Sequence, residues 1–137
     1  MFEFHGWANI RIPEVNDSDV RPIGRGPEVE AIKRVRATIN EVHDEFSLFE
    51  VKQTGNGQIV LMAHGLRNHK FAPVIELFRW VALELPASYG LLYIHDDEAA
   101  GQDNEFRVWR LALGQFEELA DPFLSPYFPT VELPLEG

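Results

Sequence analysis

Apolar or small residues alternate with polar or aromatic ones along residues 2–12, which is the pattern of a β-strand with one face in a core. Pro13 ends this pattern, since proline cannot donate a hydrogen bond to a neighbouring strand. Two more strand-like segments, 46–53 and 58–64, flank Thr54-Gly55-Asn56-Gly57, where Asn and Gly favour the positive φ angles of a tight hairpin. The sequence therefore predicts an N-terminal strand and a later β-hairpin.

Apolar residues recur at intervals of three and four in two other segments, 27–44 and about 70–85, which is the spacing of amphipathic helices. Pro27 suits the first position of a helix, and Pro86 ends the second one. Residues 14–26 are rich in Asn, Asp, Ser, Pro and Gly, so we expect a polar loop between the first strand and the first helix.

The apolar run 88–95 predicts a buried central strand, and a loop over 96–104 connects it to a last strand at 105–113. The remaining chain is rich in proline, so we expect it to be irregular. We expect this tail to be packed by its aromatic side chains, which are Phe116, Phe123, Tyr127 and Phe128.

These elements occur in the order β-α-β-β-α-β-β, which predicts an α+β fold in a single domain spanning residues 1–137. The first six elements match the split-βαβ, ferredoxin-like arrangement, and the seventh adds a C-terminal hairpin strand. Right-handed crossovers place both helices on one face of the sheet. The other face is then partly open or covered by the C-terminal tail, and an open face is a natural place for a partner to dock.

The composition adds a strong negative charge to this picture. The chain has 22 acidic and 12 basic residues, a formal net charge of -10, and most of the excess falls in residues 95–137. Direct nucleic-acid binding and a basic membrane-surface helix both need clustered Lys and Arg, so this charge argues against them. There is no cysteine, no signal-like start and no apolar stretch approaching the ~20 residues of a membrane span, so we expect a soluble cytoplasmic protein.

Acidic side chains are concentrated between residues 96 and 121, and this acidic block consists of Asp96, Asp97, Glu98, Asp103, Glu105, Glu117, Glu118 and Asp121. Two interpretations of the block stay open. Charged blocks are commonly just a solvated, solubilising surface. The same block would also suit a negative patch that attracts a basic partner and accelerates its association.

His95-Asp96-Asp97-Glu98 is the densest cluster of polar groups, and it follows the predicted buried strand. Its spacing does not match the calcium loop, so a charged hairpin loop is a simpler interpretation than a cation site. His64 and His69 lack the i, i+4 spacing of a zinc hydrolase helix. The chain also has no GxSxG, P-loop or GxGxxG motif, so the sequence predicts no catalytic residues, no metal site and no cofactor.

Gly6 predicts that a large ring or another backbone approaches the first strand closely, and Trp7 is expected to pack in the core. Both lie in Met1-Phe2-Glu3-Phe4-His5-Gly6-Trp7-Ala8, which resembles the start of the immunity protein 7 family of bacterial polymorphic toxin systems. Two later segments resemble that family's second half, namely Ser88-Tyr89-Gly90-Leu91-Leu92-Tyr93-Ile94-His95-Asp96-Asp97 and Phe106-Arg107-Val108-Trp109-Arg110.

This resemblance implies an α+β immunity protein that protects its producer from a secreted toxin, as in contact-dependent inhibition, and it implies no catalytic residues. Many such toxins attack nucleic acids through positively charged clefts, which an acidic partner that binds the toxin's C-terminal domain can cover. We therefore expect the partner contacts to come from the acidic block, with Tyr93 or Trp109 as aromatic anchors.

Two other function classes stay open. A small-ligand-binding or regulatory α+β domain would use the open face of the sheet, which predicts a defined pocket and a melting temperature that rises with the ligand. An enzyme would use His95 with Asp96 or Asp97 as an acid–base pair, which predicts a strongly shifted histidine pKa within a cleft. We rank the immunity protein first, the ligand-binding domain second and the enzyme third.

Overall fold

A computed structural model describes residues 1–12 and 26–134 of the chain. The predicted loop over residues 14–26 lies outside the described residues, apart from Gly26. The described elements are β1 (Phe2–Ile10), α1 (Pro27–Val42), β2 (Ser47–Gln53), β3 (Ile59–Arg67), α2 (Ala72–Glu84), β4 (Tyr89–Asp96), β5 (Arg107–Ala112), β6 (Gln115–Ala120) and α3 (Tyr127–Thr130).

The strands form one six-stranded sheet in the order β2-β3-β1-β4-β5-β6, and every neighbouring pair is antiparallel. The predicted α+β class is therefore confirmed. Strand β1 lies near the middle of the sheet, where His5 is opposite His64 of β3 on one side and Tyr93 of β4 on the other. This register decides which side chains meet on each face of the sheet.

The C-terminal tail is more regular than we expected, because residues 115–120 form strand β6. A two-residue turn joins it to β5, and both turn residues have positive φ angles, 53° at Leu113 and 73° at Gly114. Such angles give the backbone twist that a tight hairpin requires, but Leu adopts them rarely. The prediction of an irregular segment after residue 113 was therefore wrong for β6.

The core lies between the sheet and the helices α1 and α2. Alternate residues of β1 face this layer, which is why Phe2, Phe4, Ala8 and Ile10 are buried. Helix α2 approaches the sheet so closely that a Cβ atom on Gly6 would lie 2.7 Å from the ring of Phe78. The predicted close approach of a ring at Gly6 is thus confirmed.

Helices α1 and α2 also contact each other on this side of the sheet. Arg34 donates a hydrogen bond of 3.0 Å to Glu84, and its guanidinium lies over the ring of Trp80. The buried side chains of α1 are Ala31, Val35 and Ile39, whereas α2 buries a longer and more apolar stripe. Most of the core therefore lies on the helical side and leaves the opposite face of the sheet to the C-terminal tail and to solvent.

Candidate functional site

The face of the sheet opposite the helices is described here as the open face. Strand β1 presents Glu3, His5 and Trp7 on this face, because its alternate residues point into the core. Trp7 is 43% exposed, with its ring edge-on to Tyr89 at a centroid distance of 6.0 Å. The expectation that Trp7 packs in the core was therefore wrong, and the alternation along β1 is the signal that places it outside.

The C-terminal tail covers one half of the open face, above β4 and β5. The ring of Tyr127 stacks on His95 with centroids 4.0 Å apart, and it also contacts Phe106. The amide of Tyr127 donates to the carbonyl of Asn104 at 2.8 Å, and the amide of Phe128 donates to the side-chain oxygen of Asn104 at 2.7 Å. Aromatic stacking and hydrogen bonds together fix the tail to this half of the sheet.

Asp121 anchors the start of the tail. Asp121 is only 5% exposed, and its carboxylate accepts hydrogen bonds from the amides of Phe123 and Leu124, at 3.0 and 2.8 Å, and from the hydroxyl of Ser125. Burial acts to raise the pKa of Asp121, but these hydrogen bonds outweigh it, and the pKa lies below its ordinary value. Burial and the charge of Asp121 raise the pKa of Tyr93.

The other half of the open face carries an apolar groove of about 380 Å³. The groove runs between β3, β1 and β4, and the tail forms one of its walls. Its lining consists of His5, Gly6, Trp7, Met62, His64, Tyr93, Phe106 and Leu124. Of these residues, sequence analysis predicted a contact role only for Tyr93. The register of β1 against β3 and β4 brings the others together, and none of the sequence motifs predicted this contact.

Two histidines that line this groove and a neighbouring glutamate form a short chain of polar groups. Nε2 of His5 lies 2.7 Å from a carboxylate oxygen of Glu3, and Nδ1 of His5 lies 2.9 Å from Nδ1 of His64. An ionised carboxylate only accepts, so Nε2 of His5 carries a proton, and the two Nδ1 atoms share another. Burial, followed by the charge of His5, lowers the pKa of His64.

This histidine pair predicts a pH dependence of stability. The pKa of His64 is lower in the folded chain than in the unfolded chain. As the pH falls, the unfolded chain therefore binds a proton at His64 first, and acid favours unfolding. We expect the free energy of unfolding to decrease as the pH falls from about 7.5 to about 5, and His64→Gln to flatten part of that decrease. Urea unfolding of both proteins across this range measures the effect. Identical slopes in the two proteins would contradict the assignment.

The residues Asp96, Asp97 and Glu98, here called the acidic loop, lie where β4 ends. Asp97 lies 2.6 Å from the ammonium group of Met1, and that hydrogen bond lowers the pKa of Asp97. Glu98 lies 2.7 Å from Nδ1 of His69, and this hydrogen bond lowers the pKa of Glu98. Both carboxylates are exposed and remain ionised at neutral pH. The three carboxylates of the loop outnumber the single ammonium group of Met1 that lies beside them, so this end of the open face keeps a net negative charge.

The other acidic residues are more dispersed than their sequence spacing suggests. Glu117 and Glu118 lie on opposite faces of β6 and pair with Arg110 and Arg107, with N–O distances of 2.9 and 3.0 Å. Asp103 is exposed, whereas Glu105 is partly buried near Arg107. Since Asp121 is buried, the structure brings only part of the acidic block together at the surface.

The two predicted aromatic anchors lie on opposite faces of the sheet. Tyr93 borders the groove on the open face. Trp109 lies opposite Leu92 on the helical side, and its ring stacks on Phe116 with centroids 4.8 Å apart. A rigid partner that contacts Tyr93 through the open face therefore does not reach the ring of Trp109.

His95 is held in a structural setting. It is 2% exposed, and its Nε2 donates to the backbone carbonyl of Asp103 at 2.7 Å, while its Nδ1 has no hydrogen-bond partner. It makes no hydrogen bond with the side chain of Asp96 or Asp97, the partners that an acid–base pair would need. Within residues 1–12 and 26–134, no group of three or more His, Cys, Asp or Glu side chains is placed to hold a metal ion.

An α+β domain with an acidic loop and an apolar groove on one open sheet face has the features of a protein-binding domain. The sequence model of the Immunity protein 7 family matches residues 1–133, and the chain belongs to this family. The resemblance drawn from its sequence segments is thereby confirmed. The protein is an immunity protein that acts against a toxin, and such proteins are inhibitors rather than enzymes.

Searches of the curated proteins and of the solved structures found no match. Among the described helices, none is both long enough and apolar enough to cross a membrane.

Proposed function

We propose that this immunity protein binds the C-terminal domain of the toxin encoded beside it and neutralises that domain in the cytoplasm. The toxin is a nuclease of a contact-dependent, polymorphic system. The inhibitor covers the toxin's positively charged catalytic cleft with an acidic surface. The observation that carries this proposal is the exposed negative charge at the end of β4, in a chain whose net charge is -10.

The acidic loop and Asp103 supply the main charged contacts in this proposal. They lie at the end of β4 and on the connection that follows it to β5, and their side chains are wholly or partly exposed. Complementary charge on a partner raises the association rate, with rates up to about 10⁸–10⁹ M⁻¹s⁻¹ at low salt. Fast capture suits an inhibitor that must reach the toxin before the toxin reaches its substrate.

Other residues of the predicted contact set have roles within the fold that make them secondary. Burial and three hydrogen bonds assign Asp121 to the tail anchor. Arginine partners neutralise Glu117 and Glu118, and Arg107 also lies near Glu105. Tyr93 remains a candidate anchor, and the packing of Trp109 against Phe116 favours a structural role for Trp109.

The same proposal includes a ferredoxin-like scaffold. The strand order β2-β3-β1-β4 supports a split-βαβ unit made of the first six elements, to which the hairpin β5-β6 is added. In this scaffold the loop after β4 and the open face lie side by side.

Charge reversal tests the proposed acidic contact. We expect the triple variant Asp97→Lys, Glu98→Lys and Asp103→Lys to bind the toxin domain encoded immediately upstream about tenfold more slowly at low salt. The difference should shrink between about 50 mM and about 300 mM NaCl, because salt screens exposed charges. Stopped-flow association kinetics measure the rates, and survival of cells that co-express both proteins reports neutralisation.

A matched control keeps the charge change and moves it elsewhere. Glu30→Lys, Glu41→Lys and Glu76→Lys make the same change in net charge on the exposed surfaces of α1 and α2. We expect this control to reduce the association rate less than the variant of the acidic loop. If the two triple variants slowed association equally, the acidic loop would contribute only through the net charge of the protein. If the wild-type chain formed no complex and rescued no cells, this toxin would not be the partner.

A further inference from the structure

We propose that the groove on the open face is the apolar centre of the toxin interface and receives an apolar side chain that projects from a basic surface of the toxin domain. This inference rests on the proposed function and adds to it the part of the surface that holds the complex together. The acidic loop then forms the charged rim of the same interface.

The uncovered half of the open face carries several exposed apolar side chains. Trp7 and Met62 lie opposite each other on β1 and β3, and Trp7 is 43% exposed. On the same face, Leu66 of β3 and Leu48 of β2 are 60% and 54% exposed. Exposed apolar side chains therefore occur on β2, β3 and β1, beyond the groove itself, and His64 and Glu50 lie beside them on the same face. Exposed apolar side chains that lie on one face and are bordered by polar residues mark interaction sites.

The extent of this surface favours a protein over a small molecule. A small ligand would fill the groove of about 380 Å³ and leave Leu48 and Leu66 exposed. Protein interfaces have a desolvated centre enriched in Trp, Tyr and Met, surrounded by a polar rim. Trp7, Tyr93 and Met62 supply such a centre.

The net charge of the protein favours a basic partner over a second copy of this chain as the occupant of the groove. Two copies that each carry a net charge of -10 repel one another, so the groove is poorly suited to self-association. Along β1, Glu3 lies two residues before His5 on the open face, and it lies opposite His95, the residue before the acidic loop. The groove is thus bordered at this end by negative charge, which complements a basic toxin surface.

The groove and the rim predict different kinetic effects. Truncation of a desolvated aromatic anchor mainly raises the dissociation rate, whereas loss of rim charge mainly lowers the association rate. We expect Trp7→Ala to raise the dissociation rate of the toxin complex by about 30-fold, a typical hot-spot effect, and to change the association rate little. Surface plasmon resonance with the same upstream toxin domain measures both rates.

A second variant separates apolar contact from charge. Met62→Glu adds negative charge in the groove, so it should not slow the approach of a basic toxin, yet it places a carboxylate against the apolar side chain that binds there. We expect this variant to raise the dissociation rate by at least tenfold. Leu83→Ala and Leu83→Glu, on an exposed position of α2, are the matched controls and should leave both rates unchanged.

Hydroxyl-radical footprinting of the wild-type chain provides a test that needs no variant. Trp and Met side chains react readily, so toxin binding should protect Trp7 and Met62 several-fold and leave Trp80, in the helical layer, unchanged. The proposed role of the groove would be wrong if the wild-type chain formed a complex in which Trp7 and Met62 were not protected and both groove variants dissociated at the wild-type rate. The proposed function would remain intact in that case. Absence of any complex would overturn both proposals. A dimer of the free chain that Met62→Glu dissociates would assign the groove to a second copy and overturn the toxin as its occupant.

Discussion

Gly90→Ala is expected to lower the free energy of unfolding by about 3 kcal/mol, since it forces an added methyl group into the centre of the sheet. A Cβ atom at Gly90 would lie 2.7 Å from Cα of Ala8 and closer still to the carbonyl oxygen of Trp7. These are backbone atoms of β1, which hydrogen bonds hold between β3 and β4. Strand β1 therefore cannot move away from the methyl group without losing its ladder.

Urea unfolding followed by circular dichroism measures this loss, and a decrease in melting temperature of about 10 °C should accompany it. Gly55→Ala is the matched control, because a Cβ atom at Gly55 has no neighbour within 4 Å. We expect that control to stay within about 0.5 kcal/mol of the wild-type protein. A Gly90→Ala protein as stable as this control would show that β1 and β4 are less closely apposed than described.

Asp121→Ala is expected to destabilise the protein by about 3 kcal/mol, because it removes a buried carboxylate and leaves the amides of Phe123 and Leu124 without their acceptor. The change should be greatest in the tail, so limited proteolysis should cut residues 122–134 faster in the variant. Urea unfolding gives the global loss. Asp103→Asn, which changes an exposed carboxylate, is the control and should have little effect.

The pH dependence of the same residue has a defined sign. The pKa of Asp121 is lower in the folded chain than its ordinary value. The ionised carboxylate therefore contributes its full stabilisation of the fold above the ordinary pKa, and this stabilisation disappears as the pH falls through the folded pKa. The Asp121→Asn protein should therefore be less stable than the wild type at neutral pH and should approach it in acid. A constant difference between the two proteins at all pH values would contradict this role.

Periodicity accounts for the parts of the fold that the sequence predicted well. The spacing of apolar residues located both long helices, and alternation located β1, because burial of one face controls each pattern. Strand β6 was missed because the turn before it contains Leu113 at a φ angle of 53°. Leu rarely adopts such an angle, so its presence in the sequence does not predict a turn. Its alternation is also weak, with residues 115–120 partly or fully exposed.

The site depends on contacts between distant segments, and these are harder to predict. The acidic loop was recognisable because its charges are adjacent in sequence. The groove was not, because His5 and His64 are 59 residues apart and only the register of β1 against β3 joins them. The role of Asp121 has one local signal in the sequence. An Asp side chain commonly accepts hydrogen bonds from the backbone amides that follow it and so caps a turn.

The alternation along β1 also has an evolutionary consequence. Alternate residues of β1 face the interior and the open face, so in the proposed interface a substitution at Trp7 would change recognition without entering the layer that contains Phe4 and Phe78. This arrangement would let specificity change while the scaffold is kept. Because Leu124 belongs to the tail and lines the groove, an exchanged tail would alter one wall of the proposed toxin site.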